Sequence, residues 1–194
     1  MTIKKSEFKP VNNAPTSQLI IKEAEVLFSN LTEATGFQGS EENKKYEITF
    51  LVSTSDAEKL EETLAAELDK AFDHYKASLP AAEARKLVKA VPPISPYTDR
   101  EGNITGHSIL KAKRPEKMGT PKVLVIEDGK EVAVTRNFIT KGSKIAVSTL
   151  IKPYKMGSLV GLTLQLRGVK ILEEKEYIRK ESKTNFDLST EDVF

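Results

Sequence analysis

The segment GSKIAVSTLIKPYKMGSLVGLTLQLRGVKILEE, Gly142 to Glu174, slips phase once, and that slip constrains the fold more than any other feature. Ile145, Val147 and Ile151 share one parity with Thr149, the period of a strand. Leu162, Leu164 and Leu166 alternate on even positions in the next run. Beyond Gly168 the apolar set continues on odd positions, with Val169 and Ile171. A period-two strand that skips a residue at a glycine contains a bulge, and a bulge bends it. Strands bent in this way close a small barrel.

The rest of the chain supplies partners for that pair. QLIIKEAEVLFSNL (18–31) reads as a first strand and KYEITFLVST (45–54) as a second, with Phe28 and Phe50 assigned to the core. The period then changes. Ser55-Asp56-Ala57-Glu58 reads as a capping box, followed by Leu60, Leu64, Leu68, Phe72, Tyr75 and Leu79 at helical spacing. Pro80 ends this helix, and AAEARKLVKAV reads as a shorter one. PPISPYTDREGNITGH reads as a loop and ITGHSILKAKRP (104–115) as a strand. PKVLVIEDGKEVAV is a hairpin about Asp128-Gly129. The expectation is a mainly β fold with inserted α: roughly five or six strands and one long helix after the second. Residues 1–17 are expected as a flexible arm and 18–174 as one domain with a helical insertion over 56–90. Residues 175–194 are expected as a flexible acidic C-terminal tail.

Several chemistries lack their residues. The chain has no cysteine, and its two histidines, His74 and His107, lack metal-ligand spacing. No cofactor or metal is expected. No apolar run approaches the roughly 18 residues of a membrane span, and MTIKKSEFKPVNN has no signal-peptide core. A cytoplasmic location away from membranes follows as an expectation. Phosphate-binding glycine loops and nucleophile elbows are missing, and the pairs Glu41-Glu42, Glu61-Glu62 and Glu173-Glu174 read as solvated. The chain is not expected to be an enzyme.

The net charge of +2 conceals a polarity. Residues 104–170 hold 13 Lys and Arg against 4 Asp and Glu, whereas 171–194 hold 4 against 7. A basic body suits a polyanion, although uneven surface charge has the same composition. Binding a single strand takes cations that track phosphates and flat side chains on which bases stack. Candidates for the first role are Lys111, Lys113, Arg114, Lys152, Lys155 and Arg167. Candidates for the second are Tyr154, Tyr97 and Phe138. Lys152-Pro153-Tyr154-Lys155 is expected as a rigid cationic corner presenting Tyr154, whose alternative role is to close one end of the barrel. Thr163, Gln165 and Arg167 are expected on the solvent face. In the tail, Asp187, Glu191, Asp192 and Phe194 form an acidic segment ending on an aromatic, suited to docking in a basic, partly apolar pocket.

KVLVIEDGKEV, the segment from Gly142 to Glu174 and the terminal Phe194 together resemble the single-stranded DNA-binding proteins encoded by short-tailed coliphages and related phages. The resemblance implies an OB-fold five-stranded barrel carrying an extra helix. It implies coating of single-stranded DNA in phage replication and recombination in the host bacterial cytoplasm. Double-stranded DNA and a homodimer are also among the partners left open. It further implies that Tyr154 and Lys155 contact DNA, and that the tail ending in Phe194 contacts DNA polymerase and helicase-primase. Where a coliphage member carries tryptophan after Pro-Tyr-Lys, this chain has Met156. The competing reading is an OB-fold protein-interaction adaptor without DNA affinity.

Overall fold

In chain order, the elements are β1 (Ser17–Thr35), β2 (Lys45–Ser53), α1 (Thr54–Ala77), α2 (Ala81–Ala84), β3 (Val88–Lys89), β4 (Ile94–Thr98), β5 (Ile104–Pro115), β6 (Lys122–Glu127), β7 (Lys130–Val134), β8 (Lys144–Met156) and β9 (Leu159–Glu173). They come from a computed structural model that describes residues 14–36, 43–99 and 101–176.

Five strands close a barrel. β1 pairs antiparallel with both β2 and β8, β2 with β5, and β8 with β9. A short parallel ladder, Ala112 to Leu164 and Lys113 to Gln165, joins β5 to β9 and completes the ring. Alternation explains its filling: Ile48, Phe50, Leu110, Ala112, Ile145, Val147, Ile151, Leu164 and Leu166 are all buried in one core. Thr149 shares that inward parity, and its hydroxyl donates to the Leu19 carbonyl at 3.2 Å, which satisfies it inside the barrel.

The phase slip is a bulge. Thr149 pairs with Leu166 and Ser148 with Gly168, which leaves Arg167 as the extra residue. Gly168 also admits β6, whose Lys122 pairs with it. A Cβ at that position would lie 2.8 Å from the Lys122 carbonyl oxygen. β6 and β7 form the expected hairpin, with Asp128 and Gly129 both at positive φ as a type I′ turn requires.

α1 inserts between β2 and β5 and turns Ala57, Leu64, Leu68, Ala71 and Tyr75 into the barrel core. It starts earlier than the expected capping box. Ser53 is the N-cap: its hydroxyl accepts from the Asp56 amide and donates to the Asp56 carboxylate. Ser55 therefore lies within the first turn rather than at the cap. The second expected helix shrinks to one turn, because residues 88–89 pair instead with β9. The expected loop 92–107 contains β4, which pairs with the first half of β5. With β3, β4, β6 and β7 added to the barrel, the described residues form nine strands in place of the expected five or six.

The Lys152–Lys155 corner is also revised. β8 runs unbroken through Pro153 to Met156, and the chain reverses at Gly157-Ser158. Gly157 has φ 60, the sign a type II′ turn needs at its first central position. Pro153 is tolerated because the β1 ladder has ended at Ser17–Ile151, so no strand on that side requires its missing N–H.

Candidate nucleic-acid interface

Strand parity divides the basic end of β5. Leu110 and Ala112 enter the barrel, so Lys111 and Lys113 stand on its outside. On the neighbouring β2, Tyr46, Ile48 and Phe50 point inward, which leaves Lys45, Glu47 and Thr49 facing outward. Glu47 lies opposite Lys113 in register, yet its carboxylate ion-pairs diagonally with Lys111 at 3.0 Å. Lys113 is thus poorly compensated. Its ammonium is held below the ordinary lysine pKa, first by partial burial and then by the neighbouring charges of Lys45 and Lys111. Below this strand end, Asn43, Lys44, Lys45, Lys113, Pro115, Glu116 and Lys117 line a hollow of about 450 Å³. Four of those seven side chains are lysines. In OB barrels the face of the second and third strands and the loops after the first and fourth form the usual ligand surface. Here those are β2, β5, the connection ending at Lys44 and the Gly157-Ser158 turn.

Tyr154 sits beside that turn, and its partner across the hairpin is Gly161. The ring lies directly over the glycine: a Cβ there would fall 2.5 Å from both Cζ and Oη of Tyr154 and 2.9 Å from Cε1. Gly161 is itself buried while Tyr154 remains 37% exposed. The ring is therefore packed on one side and open on another. Lys152 shares its outward parity, and pairs with Thr163 on β9. Thr163 in turn lies two residues before Gln165, the parallel-ladder neighbour of Lys113. Lys111 and Lys113 on β5 and Lys152 and Tyr154 on β8 thus occupy outward positions on the two strands that flank β9.

The other candidates are placed elsewhere. Lys155 follows Tyr154 directly and so lies on the opposite face of β8. Arg114 has inward parity at the barrel's end, and its guanidinium donates to the carbonyls of Met118 (2.5 Å), Gly119 (2.7 Å) and Leu166 (3.3 Å). Arg167, exposed at the bulge, lines a separate hollow of about 520 Å³ with Ile20, Lys122, Ser148 and Lys170. Tyr97 is half-buried at an irregular step of β4, and its carbonyl accepts from Thr105 Oγ1. Phe138 is exposed in the connection before β8. Its neighbour Asn137 anchors that connection by accepting, through Oδ1, from the amides of Leu31, Thr32 and Glu33. Gln165 is buried rather than solvent-facing, with its amide against the Met118 sulfur. Asp187, Glu191, Asp192 and Phe194, like the arm over residues 1–13, lie outside the described residues.

Three residues beside this surface escape a reading by sequence alone. Lys45 opens the second strand, but only register brings its charge to Lys113. Gly161 reads as an interruption of a leucine-rich strand until its cross-strand partner is known. Phe28, expected in the core, is 48% exposed and opposite Thr49. An irregular step between Val26 and Phe28 reverses the parity that had assigned it inward.

No protein-family model matches the chain. No curated protein matches it either. Solved structures do. The crystal structure of gp2.5, a single-stranded DNA-binding protein encoded by bacteriophage T7, aligns with a TM-score of 0.63 and 17% identity, over 87% of this chain and 98% of that one. The single-stranded DNA-binding protein of bacteriophage Enc34 in complex with single-stranded DNA aligns at 0.60 and 12% identity, over 82% and 88%. A C-terminal truncation of the Enc34 protein aligns at 0.58 and 12% identity, over 83% and 88%. At these identities the likeness is one of fold: an OB barrel with a helix inserted after its second strand.

Proposed function

We propose that the chain binds single-stranded DNA without catalysis and coats it during phage replication and recombination. The observation that carries this reading is Lys113. It stands at an outward strand position in register beside Lys45 and Lys111, where partial burial and their charges disfavour its ammonium, an arrangement a phosphate would relieve. The adjoining lysine-lined hollow and the half-open ring of Tyr154 supply a cationic track and a stacking surface. The fold shared with two phage proteins whose ligand is single-stranded DNA supports the same conclusion. The acidic tail ending in Phe194 belongs to this reading as the contact for DNA polymerase and helicase-primase.

The test is fluorescence anisotropy with single- and double-stranded oligonucleotides across a salt series, using the full chain and one lacking residues 187–194. Single-strand affinity should fall with salt, each neutralised phosphate adding about −0.7 to the log–log slope. Deleting the tail should tighten DNA binding. Absence of binding at low salt, or binding indifferent to salt, would refute the reading and favour a protein-interaction adaptor. An unchanged affinity after tail deletion would remove the tail from competition for the DNA surface.

A further inference from the structure

Three aromatic side chains among the described residues are more than a third exposed: Phe28, Phe138 and Tyr154. Two of them stand on barrel strands. Tyr154 occupies β8, and Phe28 occupies β1 on the other side of the basic surface. Register sets the distance between them. Phe28 pairs with Thr49 of β2, and Thr49 pairs with Lys111 of β5. These are three successive positions in one row across the barrel's outside, separated by about 4.8 Å per strand step. Thr49 lies between them on β2, and the Lys111 ammonium at the end of the row ion-pairs with Glu47 at 3.0 Å. Continuing around the barrel, the parallel ladder of β5 and β9 leads to Thr163 and thence to Lys152, one outward step from Tyr154.

Resting on the single-strand reading above, we infer that Phe28 is a second base-stacking platform, at the opposite end of the lysine track from Tyr154. A scattered exposed phenylalanine needs no function. Phe28 differs in its setting. Its outward position results from the irregular step after Val26, and its row leads directly to a lysine. A strand whose phosphates track Lys111 and Lys113 would meet an aromatic surface at each end of that track. Such a surface accepts any base, since every base has a π-face. The strand therefore crosses β1, β2 and β5 and continues toward the β8–β9 hairpin, in place of contacting that hairpin alone.

The chain has no tryptophan, which gives a direct reporter. A Phe28→Trp variant carries a single indole at the proposed platform. Titration with oligothymidine should quench its emission in step with the anisotropy of the labelled oligonucleotide. Phe28→Ala should weaken binding about 5- to 150-fold, the span of one lost stacking contact. Phe28→Leu, which keeps apolar bulk without a π-face, should be weakened similarly. In all three variants the salt slope should stay at the parent's value, because no phosphate contact is lost. Binding by anisotropy with unchanged indole emission, or parental affinity in both Phe28→Ala and Phe28→Leu, overturns the inference and leaves DNA binding intact. If the parent chain binds no oligonucleotide, the proposed function fails together with it.

Discussion

Gly161→Ala adds one methyl group beneath Tyr154, and its consequences separate the fold from the interface. The new Cβ would lie 2.5 Å from the ring's Cζ and hydroxyl oxygen. Carbon atoms in good contact stand about 3.5–4.0 Å apart, so the ring must move by about 1 Å or more. Neither strand can easily yield, since β8 and β9 are paired on both sides of this step. The tyrosine side chain is the part free to swing, because it is already 37% exposed. Forcing it off its rotamer costs about 0.5–1.5 kcal/mol. The alanine offsets roughly 0.4–1 kcal/mol of that through a less flexible unfolded chain, because Gly161 has no positive φ for a side chain to strain. The net change in stability is about 0–1 kcal/mol, a shift of only a few degrees in Tm for a chain of this size. DNA affinity should respond differently. A ring lifted from its seat no longer presents the same face, and a lost stacking contact is worth about 1–3 kcal/mol, or about 5- to 150-fold in Kd. The assay pairs thermal unfolding with anisotropy on Gly161→Ala and Tyr154→Ala. Comparable affinity losses in both, with near-parental Tm for Gly161→Ala, support the seat. Parental affinity in Gly161→Ala alongside a weakened Tyr154→Ala would refute it, as would a collapse in stability.

Two further perturbations discriminate among the basic residues. Because the folded pKa of Lys113 is depressed, the unfolded chain binds more protons between that value and the ordinary lysine pKa. Fold stability should therefore gain from Lys113 as pH rises through that window, while DNA affinity begins to fall at lower pH than ordinary lysines dictate. Lys113→Met should remove that part of the alkaline affinity loss and reduce the salt slope by about 0.7, as read in anisotropy titrations across pH and salt. Arg114→Lys retains the charge but cannot reproduce three donations to the carbonyls of Met118, Gly119 and Leu166. It should lower stability by about 1–3 kcal/mol in urea unfolding while leaving the salt slope unchanged.

The barrel was legible wherever a strand's two faces differ in polarity. Leu162, Leu164 and Leu166 followed by Val169 and Ile171 announce both the strand and its bulge, because a one-residue slip moves every later side chain to the other face. The same logic failed at Phe28. There the irregular step lies within Val26-Leu27-Phe28, an apolar run with no glycine to mark it. β4 was hidden by Pro93 and Pro96, which read as loop punctuation, yet Pro96 lies on a sheet edge where a missing N–H is tolerated. Register explains the remaining losses. Lys45, Glu47, Lys111 and Lys113 are separated in sequence by the whole of α1, so no local pattern indicates that they share one surface.

That dependence on register also changes what Lys-Pro-Tyr-Lys can do. In a turn, two lysines flanking a tyrosine could reach phosphates on both sides of one base. In a continuous strand, residues i and i+1 face opposite ways, so Tyr154 and Lys155 cannot present themselves to the same surface through backbone direction alone. The cation that accompanies the ring is Lys152, two residues earlier, and the next are two strands away on β5. The motif's proline is explained by the end of the β1 ladder and its tyrosine by Gly161 across the hairpin. The basic face is therefore assembled from strand pairing, with the contiguous motif contributing one cation and one ring to it.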